Sequence, residues 1–253
     1  MTRVFVDERH LQGDSAALDA ADAHHLVNVL RMGMGDELTV VGPDGREHPA
    51  EIVEVAGERV LLRLGEARPA RIEPDLELTL YHGLPRLPRY ETALRMCTEL
   101  GVAGFVPVLC RRSVIRLQPD DYPRKTERWR RIVESAARQC GRTRIPEVSG
   151  PMDFAAALAH VSATDAAGVM PSAGLAGAEV LSLGEWVDAH ADEIRRGPLA
   201  LFIGPESGFD LAEEAEAQAA GVSLVTMGPR VLRTETAAVV AATVCLERAG
   251  QMD

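Results

Sequence analysis

Residues 199–237 read LALFIGPESGFDLAEEAEAQAAGVSLVTMGPRVLRTETA, and this stretch decides the fold class. Leu199–Ile203 is an unbroken apolar run of strand length, stopped by the turn Gly204-Pro205-Glu206-Ser207-Gly208. A helix over Leu211–Ala220 follows, opened by the capping-box spacing Asp210-x-x-Glu213 and ended at Gly221. A second apolar run, Val222–Met227, meets Gly228-Pro229, and a closing helix spans Glu235–Arg248. Strands apolar on both faces, alternating with helices, are the mark of a mostly parallel sheet covered by helices.

The same alternation extends upstream. Strands are expected at Leu76–Leu80, Phe105–Leu109 and Ala167–Met170, and helices at Tyr90–Leu100, Thr126–Cys140 and Leu183–Arg195. Trp129, Ile132, Val133, Ala136 and Cys140 fall on one helical stripe and read as core. The N-terminal part has a different rhythm. Short strands at Arg3–Val6, Glu37–Val41, Glu51–Val55 and Arg59–Leu64 are separated by the turns Gly42-Pro43-Asp44-Gly45 and Ala56-Gly57-Glu58, which predicts a small β-barrel or meander. A helix near its start has Asp22 as the expected N-cap and Leu26, Val29 and Leu30 on one face. The proline-bearing segment 67–74 is the expected linker, so the domains are 1–72 and 73–253.

Composition narrows the function classes. No apolar run approaches the roughly 18 residues of a membrane span. The charged N-terminus has no signal-peptide core, so a cytoplasmic location is expected. Four dispersed cysteines form no C-x-x-C pair and the seven histidines no ligand array, so no metal is expected and the thiols read as buried and free. Net charge is −11, yet residues 111–144 hold 11 basic side chains against 4 acidic ones. A segment at +7 inside an acidic chain is an electrostatic footprint for a polyanion, although i,i+4 pairs such as Glu127/Arg131 and Glu134/Arg138 would neutralise part of it.

In open α/β sheets ligands bind beyond the carboxyl ends of the strands, where the two Gly-Pro turns lie. Thr234 is placed to cap the closing helix, and Arg230 and Arg233 stand at the mouth of the sheet. Neither turn matches G-x-G-x-x-G or a Walker pattern, and no G-x-S-x-G elbow exists, so dinucleotide, nucleoside-triphosphate and serine-hydrolase sites lack support.

The pair IGPESGF (Ile203–Phe209) and MGPRVLRTETA (Met227–Ala237) resembles the SPOUT class of methyltransferases, and more narrowly the RsmE family of 16S ribosomal RNA (uracil-N3)-methyltransferases. HHLVNVLRMGMGDEL (His24–Leu38), TELGVAGFVPVL (Thr98–Leu109) and RWRRIVESAARQCGRTRIPEV (Arg128–Val148) extend the resemblance along most of the chain. It implies a PUA-like N-terminal barrel, RNA-binding, followed by an α/β domain with a deep trefoil knot. It implies S-adenosylmethionine as cofactor, 16S rRNA as substrate within the assembled small ribosomal subunit, and a homodimer. The cofactor pocket it implies comprises Met170, Pro171, Ile203, Gly204, Pro205, Glu206, Met227, Gly228, Val231, Leu232 and Arg233. Ser207 replaces a glycine usual in the family and would be strained if that position needs a positive φ.

For the chemistry, Arg233 and Arg230 are the expected cations for charge developing on the base, and Glu206 and Glu235 the available proton acceptors, Glu235 also suiting the first turn of its helix. No residue is singled out as the base; water could serve. Arg3, Arg31, Arg111, Arg112, Arg138, Arg142 and Arg144 are the expected RNA contacts. Ala237, Ala238, Ala241 and Ala242 suit close helix packing, either within the chain or across a dimer. A non-catalytic RNA-binding or ribosome-assembly factor, and a SPOUT enzyme acting on another RNA nucleoside, are the alternatives.

Overall fold

The computed structural model describes residues 2–57, 59–70, 72–175 and 179–252; Glu58 of the expected turn and Arg71 of the expected linker lie outside them. The chain divides into two units, one of residues 1–73 with 138–144, the other of residues 74–137 with 145–253. The division falls one residue beyond the sequence boundary, and it assigns seven residues from the middle of the chain to the N-terminal unit.

The N-terminal unit is a six-stranded sheet in the order β1-β4-β5-β6-β3-β2. Its strands are β1 (Arg3–Phe5), β2 (Leu11–Gln12), β3 (Ser15–Ala17), β4 (Glu37–Val41), β5 (Glu47–Ala56) and β6 (Arg59–Leu64). β1 pairs β4 in parallel and the remaining pairs are antiparallel. Ala50 and Ile52 of β5 and Val60 and Leu62 of β6 are buried, the period of two that puts one face on a core. α1 (Ala20–His24) is capped by Asp19, whose carboxylate accepts the Asp22 N–H, so Asp22 is not the cap. Asp22 instead pairs with Arg138 at 2.6 Å. After α1 the helix widens into a π-turn over His25–Val29, which rotates the expected apolar face. Leu26 is fully buried, but Val29 and Leu30 are 57% and 43% exposed.

The second unit is a parallel sheet with strand order β10-β8-β7-β12-β11-β13 and β9 also on β8. The strands are β7 (Leu78–Gly83), β8 (Gly104–Leu109), β9 (Glu147–Val148), β10 (Met152–Asp153), β11 (Ala167–Pro171), β12 (Leu199–Ile203) and β13 (Ser223–Val225). Its helices are α2 (Leu87–Leu100), α3 (Tyr122–Cys140), α4 (Phe154–Ala163), α5 (Leu183–Ala189), α6 (Ala191–Ile194), α7 (Leu211–Ala219) and α8 (Thr234–Arg248). The expected helix 183–195 is broken at His190, whose Nδ1 lies 2.8 Å from the Trp186 carbonyl while its ring stacks on the Trp186 indole. α4 was not foreseen.

Two features of this sheet place the site. β12 pairs on one side with β7 and on the other with β11, while β13 lies beyond β11, so the chain steps from β11 to its neighbour β12 and then crosses back over β11 to reach β13. That reversal brings the turns after β11, β12 and β13 to one edge of the sheet, at the strands' carboxyl ends. Behind them α8 packs on α2 and α5. Ala238, Ala241 and Ala242 are fully buried in this packing, so these alanines serve intrachain contact and offer no free face to a second copy.

Candidate active site

The three turns enclose a cavity of about 400 Å³, within the roughly 300–1,000 Å³ of ordinary small-molecule pockets. Pro171 comes from the end of β11, Ile203, Gly204, Pro205 and Glu206 from β12 and its turn, and Met227, Gly228, Arg230, Val231 and Leu232 from the segment after β13. Met170 is fully buried in the core and is not part of the wall. Arg233 is also outside the wall: it is the extended N-cap of α8 and its side chain is exposed. Of the two expected cations, only Arg230 therefore borders the cavity. Ser207 lines it without strain, because the positive φ of this turn, 69°, belongs to Gly208.

The wall contains residues the sequence did not mark. Ser172 donates its hydroxyl to Glu214 at 2.6 Å and accepts the Gly174 N–H at 3.2 Å, which shapes the turn after β11. Arg112, expected on RNA, borders the cavity, donating to the Phe209 carbonyl at 3.2 Å with Asp210 at 3.4 Å. The sequence signal available for Ser172 was its place after a strand end; Glu214 carried none, since an acid in the first turn of a helix is ordinary.

Glu206 is held in two ways. Its Oε1 accepts the Arg86 N–H at 3.1 Å, supplying the cap that the start of α2 otherwise lacks, and Arg89 stands 3.7 Å away. Its Oε2 is buried and makes no hydrogen bond among the described residues, an acceptor left over for a ligand or a proton. Glu235 also has a buried oxygen without a partner among the described residues but does not border the cavity.

Thr234 does not cap α8; it is the first helical residue, and its hydroxyl donates to the Gly204 carbonyl at 2.6 Å. The same oxygen lies 2.7 Å from Nε2 of His82, a fully buried residue. Burial lowers the His82 pKa from 6.5 to about 3, so the ring is neutral. Its Nδ1 has no partner among the described residues, which costs about 1–3 kcal/mol of uncompensated desolvation.

The arginines divide sharply. Arg142 is 5% exposed and forked onto Glu73, with Nη2–Oε2 at 2.7 Å. Arg138 pairs with Asp22 and lies over the Phe5 ring, 5.5 Å from its centroid. Arg3 is paired with Glu47 at 2.6 Å and with the Gly141 carbonyl. All three are paired within the N-terminal unit, Arg142 almost wholly buried and Arg3 and Arg138 partly so, because a half-buried guanidinium needs a carboxylate. Arg31, Arg111, Arg112 and Arg144 remain exposed. Arg31 has φ 57°, a left-handed conformation unusual for a side-chain-bearing residue, and no side-chain partner among the described residues. Arg111 is bound to Glu216 at 2.6 Å but stays 57% exposed.

A parallel sheet that doubles back across β11, with a cavity formed by the three returning turns, defines a SPOUT-type α/β domain, here joined to a PUA domain. Residues 72–246 match the family described as RNA methyltransferase domain, and residues 18–72 the RNA methyltransferase PUA domain. Ribosomal RNA small subunit methyltransferase E of Bacillus subtilis is 30% identical, over 94% of this chain and 93% of its own length. The protein of that name from Mycobacterium tuberculosis is 34% identical over 94% and 88%. The crystal structure of the Neisseria gonorrhoeae ribosomal RNA small subunit methyltransferase E, bound to S-adenosyl methionine, superposes with a TM-score of 0.84 at 27% identity, covering 98% of this chain and 97% of that one. The chain belongs to the ribosomal RNA small subunit methyltransferase E family.

Proposed function

We propose that this chain methylates N3 of a uridine in 16S rRNA with S-adenosylmethionine as donor, acting as a cytoplasmic homodimer on the assembled small ribosomal subunit. The observation that carries the cofactor assignment is the cavity at the ends of β11, β12 and β13, in a fold shared with a relative solved with S-adenosyl methionine. The wall suits that ligand. Ile203, Pro205 and Leu232 offer apolar surface, Gly204 and Gly228 allow close backbone approach, and the carboxylates of Glu206 and Glu214 complement a cationic donor. When bound, the cofactor supplies an electrophilic methyl group.

The chain's own residues then have positional and electrostatic tasks. The uracil imide must lose its N3 proton to become a nucleophile. Arg230 at the rim is the cation for the charge that develops on the base, and the Oε2 of Glu206, without a partner among the described residues, is the side-chain acceptor in the wall, with solvent as the other route. The base reaches the cavity unstacked. Arg112, tethered at the mouth, and the exposed Arg31, Arg111 and Arg144 are the phosphate contacts. Val231 and Leu211, 84% and 78% exposed beside the cavity, are the apolar surface that a second copy would cover.

Isothermal titration of the purified chain with S-adenosylmethionine tests this reading first. Saturable 1:1 binding per chain in the micromolar range is expected; absence of binding at high micromolar cofactor would leave a non-catalytic RNA-binding factor.

A further inference from the structure

His82, one residue before the end of β7, pairs with Ile203 of β12 and lies outside the cavity wall. It reaches the wall through Thr234. The Gly204 carbonyl can only accept, so the single proton of the Thr234 hydroxyl is committed to it across 2.6 Å. The hydroxyl oxygen can then only accept from His82, so the imidazole carries its proton on Nε2, 2.7 Å away. The chain of bonds is polarised one way, from His82 N–H to Thr234 O–H to the Gly204 carbonyl. It fastens the turn after β12 to the first turn of α8, both of which line the cavity.

A buried side chain needed only as filler would be apolar, since Nδ1 of this one is left without a partner among the described residues. Keeping a histidine there makes sense if its N–H is used. A hydroxyl with no donor behind it is free to rotate toward other acceptors; with His82 in place it has one orientation.

We propose that His82 is a positioning residue, holding the Gly204–Gly208 turn against the start of α8 through Thr234 and so fixing the shape of the cofactor cavity. This rests on the S-adenosylmethionine reading above, and two readouts separate the two ideas. The first is S-adenosylmethionine affinity in wild type, His82→Leu, His82→Gln, Thr234→Val and the double variant His82→Leu/Thr234→Val. The second is amide hydrogen exchange of residues 204–208 in the ligand-free chain.

His82→Leu is expected to weaken binding about ten-fold or more and to speed exchange in the turn. Gln, which can present an N–H near the Nε2 position, restores affinity to within about three-fold. Thr234→Val reproduces the loss, and adding His82→Leu to it makes little further difference, as expected when one residue acts through the other. Wild-type affinity in His82→Leu, additive losses in the double variant, or a folded His82→Gln no better than Leu would each overturn the proposal. If the wild type itself does not bind S-adenosylmethionine, the cofactor reading fails, and unchanged exchange at 204–208 in His82→Leu overturns the positioning role independently.

Discussion

Gly83→Ala is expected to lower S-adenosylmethionine affinity about 100-fold, because it strikes the turn that forms the cavity wall. Gly83 is the last residue of β7, and an added Cβ would lie 2.5 Å from Cδ of Pro205, 2.8 Å from the Pro205 nitrogen and 2.9 Å from Sγ of Cys110. Two of these atoms belong to a rigid ring and its backbone, so the clash cannot be relieved by a rotamer change. The Gly204–Gly208 turn must move, and with it Pro205 and Glu206 of the wall. The overpacking costs about 1–3 kcal/mol of stability, which a folded protein tolerates, so the effect is concentrated on binding. Titration calorimetry and a thermal melt on the same sample check this, with Gly33→Ala as control, since nothing lies within 4 Å of an added Cβ there. Wild-type affinity in folded Gly83→Ala would mean that the turn does not shape the ligand site.

The second large effect concerns stability. Glu73→Gln is expected to destabilise the N-terminal unit by about 3–5 kcal/mol, the range for leaving one partner of a buried ion pair uncompensated. Glu73 accepts from the Arg142 guanidinium and from the backbone N–H groups of Thr143 and Arg144, at 2.7 and 3.0 Å. Burial alone would raise the carboxyl pKa, but the Arg142 hydrogen bond and charge and the two N–H groups outweigh it, and the net shift is downward from 4.5. A carboxyl with a depressed folded pKa contributes its stability above its unfolded value and loses it as the pH falls through the folded one. Urea unfolding at neutral pH should therefore show the full loss in Glu73→Gln. Below about pH 4.5 the gap between variant and wild type should narrow. A loss under about 1 kcal/mol at neutral pH, or a gap independent of pH, would contradict the role given to this pair.

Much of the fold was legible because the strands carry their burial in their composition. Glu37–Val41, Arg59–Leu64 and Leu199–Ile203 form as the apolar pattern places them. The capping box at Asp210 and Glu213 forms as written, with Glu213 fully buried and accepting the Asp210 and Arg111 N–H groups. α4 went unseen although Phe154, Ala157, Leu158 and Val161 repeat at helical spacing behind the cap Asp153. Its alanines lengthen the apolar signal on every side and blur the stripe.

The site was legible as backbone and less so as side chains. The two Gly-Pro turns form the cavity as their positions at strand ends suggest, whereas the fate of each arginine depended on partners far away in sequence. Arg142 and Glu73 are 69 positions apart, and Arg138 and Asp22 are 116 apart. A run of positive charge in sequence therefore overstated the positive surface. Thr234 was misread for a similar reason: its hydroxyl is taken by a carbonyl 30 residues away rather than by its own helix.

The most direct measurement is methyl transfer from isotopically labelled S-adenosylmethionine to small ribosomal subunits from a strain lacking this methylation, followed by mass spectrometry of the nucleosides of the 16S rRNA. Labelled 3-methyluridine at one site, dependent on the purified chain, is the predicted result. Label in another nucleoside would contradict the base assignment, and subunits and free 16S rRNA that both stay unlabelled with folded chain would contradict the assignment of the cavity to methyl transfer.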